Sequence, residues 1–373
     1  MSSPRITAAA LIFACAFAVV LAGYMSALAP PAAARDDDKW KVHEKLLGKL
    51  KDDGRDRKKS QDVSGIACAT TLGFPRTCLL VDDQTQGAQI VILREKSLVA
   101  GTFIPLIDGT LDGYPVDLDG EGVAYAGGAF YVTGSHGRPR HEKEALKKAE
   151  DTRKAKAQAD AQTKASAQVI RVRFDLSAVD DRGKLFGRPE IKVSTALSAF
   201  INKQSELEHL FNKPLDENGL TVEGVAVRGE QMYFGMRGPI LANNDAAILS
   251  VPLAALFEGQ NGAGRLHRLN LEKRRGVRDL VEFEKGFLLI AGPVNDPKDD
   301  KVEGGDYSVV WWDGENQTKR LGDLEGYGKK VKPEALVPID RKNDKLHVLL
   351  FFDGPDEGAP RLVKVDAPPH ADR

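Results

Sequence analysis

From about residue 62 onward the chain is written in short runs of Val, Ile, Leu, Phe and Tyr bounded by Gly, Asp, Asn and Pro. Many of these runs alternate apolar and polar residues with period two, which predicts strands. Examples are Gly122-Val123-Ala124-Tyr125, Ala129-Phe130-Tyr131-Val132, Val169-Ile170-Arg171-Val172-Arg173-Phe174, Phe287-Leu288-Leu289-Ile290, Val309-Val310-Trp311-Trp312 and His347-Val348-Leu349-Leu350-Phe351-Phe352. The Trp311-Trp312 pair alternates faces along its strand, so at most one of the two rings faces a site and core packing accounts for the pair.

The strand pairs repeat. Ser64-Gly65-Ile66-Ala67, Glu121-Gly122-Val123-Ala124, Glu223-Gly224-Val225-Ala226, Arg278-Asp279-Leu280-Val281 and Glu334-Ala335-Leu336-Val337 each precede a second apolar run by about ten residues. Aligning Gly65, Gly122, Gly224, Asp279 or its neighbour Leu280, and Ala335 gives spacings of 55 to 57 residues and one gap of 102. A unit of this size holds the four strands of a propeller blade. The expected fold is therefore an all-β propeller over 62–367, followed by a short tail, 368–373. Five blades fit best, and a sixth fits only if the spare length of the long gap holds one.

Two charged stretches interrupt the pattern. Residues 35–61 carry Asp36-Asp37-Asp38 and Arg55-Asp56-Arg57-Lys58-Lys59 and read as a solvated arm with a short helix around Trp40 to Leu50. Residues 140–168 are rich in Ala, Lys, Glu and Gln without an apolar stripe, which predicts an exposed helical insertion between strands.

The first 34 residues combine Arg5, an apolar run from Ile6 to Gly23 and small residues ending in Ala32-Ala33-Ala34, the pattern of a secretory signal cleaved before Arg35. The run approaches the ~20 residues of a spanning helix, so an uncleaved anchor is the alternative. Cleavage leaves 52 basic against 54 acidic residues. With no basic excess, nucleic acid has no electrostatic foothold, and no second run is long enough to cross a membrane. The expected setting is the periplasm or the cell exterior, as a monomer. Cys68 and Cys78, on two strand-like runs joined by Gly73-Phe74-Pro75, then predict a cross-strand disulfide, stabilising by about 2 to 3 kcal/mol. The pair lacks the C-x-x-C spacing of a redox centre.

Several segments together resemble the bacterial family known as domain of unknown function 3616, over about 62–355. They are Asp119-Gly120-Glu121-Gly122-Val123-Ala124, Gly134-Ser135-His136-Gly137-Arg138, Val222-Glu223-Gly224-Val225-Ala226-Val227-Arg228, Tyr233-Phe234-Gly235-Met236-Arg237-Gly238-Pro239 and Gly276-Val277-Arg278-Asp279-Leu280. A more distant likeness is to the phytase-like esterase group of propellers. The family resemblance implies a propeller and an ordered set of motifs, and no activity.

If the opening tetrapeptides are the innermost strands, Glu121, Glu223, Asp279 and Glu334 point from four blades toward one axis. With Asp119, and with Asp82 and Asp117 nearby, they suit a hard cation such as calcium, which takes 6 to 8 oxygen ligands. Arg138, Arg237 and Arg278 recur beside the same motifs and offer the opposite outcome, guanidinium–carboxylate pairs that only staple blades together. Ser135 beside His136 suggests a hydrolase, but Thr133 stands where a nucleophile elbow needs glycine. The seven histidines form no zinc motif, and no phosphate-binding loop is present. The sequence supports a module binding a small molecule or a protein on one face, with a calcium-dependent hydrolase of phosphate esters or lactones as the alternative.

Overall fold

The computed structural model describes residues 38–51, 54–140, 142–296, 306–327 and 330–369. The leader pattern of 1–34 lies outside these residues, as does most of the tail. No helix among the described residues is long and apolar enough to cross a membrane.

After the short strands β1 (Lys41–His43), β2 (Leu47–Leu50) and β3 (Arg57–Lys59) come five blades. Blade 1 is β4 (Val63–Cys68), β5 (Arg76–Asp82), β6 (Gly87–Arg94) and β7 (Ser97–Pro105), followed by a small hairpin, β8 (Thr110–Leu111) and β9 (Tyr114–Pro115). Blade 2 is β10 (Gly120–Ala126), β11 (Ala129–Gly134), β12 (Val169–Arg173) and β13 (Glu190–Ser194), with α1 (Glu142–Lys148) and α2 (Thr152–Ser166) inserted between β11 and β12. Helix α3 (Leu197–Asn202) leads to blade 3, which is β14 (Thr221–Arg228), β15 (Gln231–Gly238), β16 (Ala246–Pro252), the short α4 (Leu253–Phe257) and β17 (Arg265–Leu269). Blade 4 is β18 (Arg275–Phe283), β19 (Gly286–Pro293), β20 (Tyr307–Trp312) and β21 (Thr318–Leu324). Blade 5 has three strands, β22 (Lys332–Lys342), β23 (Lys345–Asp353) and β24 (Arg361–Asp366). The long gap in the repeat holds the α1–α2 insertion, the β12–β13 connection and α3, so the described residues form five blades and no sixth.

Each blade buries both faces, so period-two alternation in its middle strands divides side chains between two neighbours. Along β5, Leu79 and Val81 pack toward blade 2 while Cys78 and Leu80 pack toward blade 5. Along β19, Phe287, Leu289 and Ala291 face blade 3, and Leu288 and Ile290 face blade 5. Five apolar clusters result, one in each gap between successive blades. That is why the middle strands read as nearly continuous apolar runs.

The arm departs from the sequence expectation. Instead of a helix around Trp40 to Leu50, the chain runs extended along two outer edges. The Trp40 amide donates to the Pro360 carbonyl at 2.9 Å and Lys39 bridges Arg361, both at the β24 edge of blade 5. β1 then pairs in parallel with β7 of blade 1. Trp40 and Leu46 are buried in the cluster formed by blades 5 and 1. The arm therefore clasps the first blade to the last, where blade 5 lacks a fourth strand. Its charged residues hid this role, because a one-sided edge strand needs only a few apolar anchors.

The disulfide forms. Cys68 and Cys78 are directly opposed on β4 and β5, with Cα atoms 3.9 Å apart.

Truncating the clasp's anchor tests its weight. Trp40→Ala is expected to lower the unfolding free energy by about 3 kcal/mol, as for other buried Trp-to-Ala changes. An unchanged urea midpoint would show that blades 1 and 5 hold without it.

Candidate functional site

The five innermost strands, β4, β10, β14, β18 and β22, share one irregularity. Each pairs with its neighbour through a register shift that leaves one residue bulged: Ser64, Glu121, Glu223, Arg278 and Glu334. A bulge redirects its side chain and sharpens the local twist. Here it gives each blade one residue at the same height on the axis. The residue after the bulge sits where neighbouring backbones nearly touch. A Cβ at Gly122 would lie 2.9 Å from the Glu223 carbonyl oxygen, and one at Gly224 only 2.7 Å from the Leu280 nitrogen.

This register corrects the sequence alignment in blade 4. Arg278, not Asp279, occupies the position of the glutamates, and Asp279 occupies the glycine position. Its carboxylate accepts from the Leu280 amide at 2.8 Å and from the Leu336 amide of blade 5 at 2.7 Å. Asp279 is thus a backbone staple between blades 4 and 5 rather than a metal ligand.

One side of the ring is neutralised by arginine. Arg278, fully buried, donates from Nε to Glu334 at 2.8 Å and from Nη2 to the other oxygen of the same carboxylate, and its Nε lies 3.0 Å from Glu223. Arg237 of β15 donates to Glu223 at 3.0 Å, to Asp296 at 2.6 Å and to the Val294 carbonyl at 2.6 Å. Asp296 also accepts from Arg140 at 2.8 Å and lies 3.9 Å from Lys332, which pairs with Asp353. Burial works against ionisation of Asp296, but Arg237, Arg140 and Lys332 hold its carboxyl below the usual range. Glu223 and Glu334, expected as metal ligands, are consumed as counter-ions.

The other side is acidic and has no such partner. Asp83, Asp119 and Glu121 each place a carboxylate oxygen within 4.8 Å of the others, and Asp62, Asp82 and Asp83 form a second such group. Asp82 accepts from the Ser60 hydroxyl at 2.6 Å and the Gln84 amide at 3.0 Å, and Asp119 accepts from the Ser135 hydroxyl. Asp83 Oδ1 is sealed from solvent with no hydrogen-bond partner. Burial, then Glu121, Asp119, Asp62 and Asp82, push the Asp83 carboxyl well above its usual range. Burial, then Asp119 and Glu223, do the same to Glu121, while burial raises Asp119. Among the described residues no lysine or arginine forms an ion pair with any of these five carboxylates.

The structure therefore gathers Asp119, Glu121, Glu223, Arg237, Arg278 and Glu334 at one mouth of the channel. Arg138 stands apart from the ring, bound to Glu142 at 2.6 and 2.7 Å and to Asp160 at 3.2 Å in the helical insertion. Ser135 is buried against Asp119 and the Gly137 amide, and makes no bond to His136, whose buried ring is pushed down to a pKa of about 4 by burial. Asp62, Asp83, Asp296, Arg140 and Lys332 were missed as site residues. Four of them lie in loops beside strands and Lys332 opens β22, places where acidic and basic residues are ordinary; the Asp82-Asp83 pair at the end of β5 was the available signal. At the far end of the channel the same inner strands line a cavity of about 80 Å³, with Ile66, Val123, Val225, Val281 and Val337 each from a different blade and Arg76 and Glu282 also on its wall.

Two consequences can be measured. Arg278→Met should cost roughly 3 to 5 kcal/mol of stability, because Glu334 is left buried and unpaired and Glu223 keeps only Arg237. Adding Glu223→Gln and Glu334→Gln should recover most of that loss, and no recovery in the triple variant would mean that Arg278 acts through packing alone. Asp279 gives the pH dependence. Burial raises its folded pKa to about 7 from 3.8, against the two amides that favour the anion. The folded state then binds the proton more tightly than the unfolded chain, so stability is greatest below pH ~4 and falls through pH ~7, by up to about 4 kcal/mol from this group. Asp279→Asn should flatten that fall in denaturation midpoints measured across pH 4 to 8.

No curated protein matches the chain in sequence. Among solved structures, an endo-arabinanase from Bacillus licheniformis is similar over 88% of this chain and 96% of its own, at 8% identity and a TM-score of 0.33. An exo-β-1,3-galactanase from Phanerochaete chrysosporium is similar over 86% of this chain and 63% of its own, at 9% identity and a TM-score of 0.39. The β-propeller domain of Nup133 from Vanderwaltozyma polyspora is similar over 81% of this chain and 71% of its own, at 7% identity and a TM-score of 0.32. The family model for a protein of unknown function, DUF3616, matches residues 85–373, and the chain belongs to that family.

Proposed function

We propose that the chain is an exported binding propeller whose axial mouth takes a hard divalent cation, calcium by its donor chemistry, and through it a small oxygen-bearing ligand. The observation that carries this reading is the unequal division of the mouth. The carboxylates on one side are matched by Arg237 and Arg278, whereas Asp83, Asp119 and Glu121 converge without a bonded cation and leave Asp83 Oδ1 without any partner. Like charges held this close need either protons or a cation.

An all-oxygen set favours calcium over zinc or copper, which prefer nitrogen and sulfur. Three carboxylates supply at most six oxygens, fewer than the eight calcium can take, so positions remain for water or ligand oxygens. A binding role needs nothing more. Turnover of a phosphate ester or lactone would need water activated at the same cation, since the Ser135 and Ser60 hydroxyls are buried and engaged with Asp119 and Asp82. Export is supported by the leader pattern of residues 1–34 and by the Cys68–Cys78 disulfide, which persists in oxidising compartments.

Titration calorimetry of the protein without its leader tests the site. Calcium should bind, and Asp83→Asn and Glu121→Gln should each weaken binding by at least about tenfold, or 1.4 kcal/mol. Glu223→Gln should leave affinity near wild type while lowering stability. Absence of calcium binding, or loss of binding only in Glu223→Gln, would defeat the assignment.

A further inference from the structure

The outermost strand of a blade has one edge that its own sheet does not pair, and the five edges are treated differently. β1 covers β7 of blade 1, and Lys39 and Trp40 bond along the β24 edge of blade 5. β17 of blade 3 and β21 of blade 4 end their sheets uncovered, and both carry exposed charge: Arg265 and Arg268 on the first, Lys319, Arg320 and Asp323 on the second. Covering an edge and charging it are two of the usual guards against strand pairing between molecules.

β13 of blade 2 is uncovered and apolar. It ends its sheet, and among the described residues no backbone group of 190–194 bonds to a backbone beyond β12. Ile191 is 37% exposed and Val193 46%. Among the described residues these are the exposed large apolar side chains that lie in a blade strand; the others sit in turns, loops or the β8–β9 hairpin. Ile191 stands opposite Val172 and Val193 opposite Ile170, both fully buried in the cluster that blade 2 shares with blade 1. Directly opposed residues share a face, so Ile191 and Val193 carry that apolar face outward past the end of the core. Glu190 and Lys192 lie on the other face, where Lys192 pairs with Glu258 at 2.9 Å.

The order Glu190-Ile191-Lys192 complements itself when reversed. In an antiparallel pair of two such strands centred on Ile191, Glu190 of each chain stands opposite Lys192 of the other, and the two Ile191 side chains meet. Moving the centre to Lys192 or to Glu190 sets lysine against lysine or glutamate against glutamate, and like charges directly opposite destabilise a strand pair. Pro189 has no amide hydrogen to donate, so the ladder stops at the ends of this triplet.

We propose that β13 is the docking edge for a second copy of this chain, the two strands pairing antiparallel about a two-fold axis at Ile191, so that blade 2 of one protomer continues into blade 2 of its partner. The axis stands perpendicular to the joined sheet, which keeps Ile191 and Val193 of both copies on one face. The described residues of each chain hold one such edge, so the contact is isologous and closes at two copies instead of running on as a fibre. Three opposed residue pairs make a small interface, and the dimer forms only at high concentration.

The test uses the protein without its leader, whose cysteines are the bonded Cys68 and Cys78. Sedimentation velocity across roughly 1 μM to 1 mM, the range of weak association, should show a monomer–dimer equilibrium. Glu190→Lys and Lys192→Glu should each weaken it by about tenfold or more, since two attractive pairs become repulsive. An equimolar mixture of the two variants should recover the dimer, because every lysine then faces a glutamate across the axis; this recovery also shows that both variants are folded. Ile191→Cys should give a covalent dimer on mild oxidation, as directly opposed Cα atoms lie about 4.5 to 5.5 Å apart, within disulfide reach. Lys319→Cys, on the uncovered edge of β21, should stay monomeric. A monomer throughout the range overturns the proposal, and if a synthetic peptide of residues 187–195 binds that monomer, the edge accepts a free strand and not a copy. A dimer unmoved by both charge variants, or oligomers beyond two, overturns it equally.

Discussion

Everything at the centre of this molecule follows from how closely five inner strands approach one axis. With Gly122 and Gly224 backed against the next blade's main chain, no side chain fits at those positions. The chain instead turns out one bulged residue per blade, just before the close contact. Five such residues at one height make a ring, and three of them are glutamates. Carboxylates at that spacing and burial repel one another unless something positive joins them, so the geometry of packing creates an electrostatic problem that the sequence must solve.

It is solved on one side only. Blade 4 substitutes Arg278 for glutamate at the bulge, and Arg237, two positions ahead of Pro239 in blade 3, completes the neutralisation with Asp296 as a shared bridge. Blades 1 and 2 contribute Asp62, Asp82, Asp83, Asp119 and Glu121; hydroxyls and an amide bond Asp82 and Asp119 without cancelling charge, and Asp83 Oδ1 has no partner. Two designs therefore coexist in one mouth. A finished salt-bridge network stiffens blades 3 to 5, and an unfinished acidic side has the charge and donors for a cation from outside. The helical insertion grows from blade 2, and Arg140 at its base pairs with Asp296 at 2.8 Å.

Much of the fold was legible because burial on both faces of a blade leaves an unmistakable trace: apolar runs at a fixed long period, with glycine at three of the five axial contacts, Gly65, Gly122 and Gly224. The disulfide was legible for the same reason, as Cys68 and Cys78 lie on adjacent runs at matching distances from the turn. The charges at the axis were less so. A one-residue shift decides whether Arg278 or Asp279 joins the ring, and an alignment that favours acid over acid chooses wrongly, because only the bulge distinguishes them. The arm was hidden by composition: Trp40 and Leu46 are its two buried anchors among many charged residues. Asp83 and Asp296 were hidden by position, since loops at strand ends are where isolated carboxylates normally carry no function.

The clasp and the acidic side also share a seam. Ser60, at the end of the arm, donates to Asp82; the Gly354 amide of blade 5 donates to the Gln61 carbonyl at 2.7 Å, and Asp62 bridges Asp353. The junction that closes the ring thus runs directly beside Asp62, Asp82 and Asp83. Blade 5, with three strands, has the least sheet of its own to hold this junction. A cation held by Asp83, Asp119 and Glu121 would join blade 1 to blade 2 beside this junction, and a ligand that binds only the folded ring adds its binding free energy to the stability of that ring. The junction that closes the ring lies beside its least balanced charges, so a cation at the mouth would act on the same stretch of chain that seats the arm.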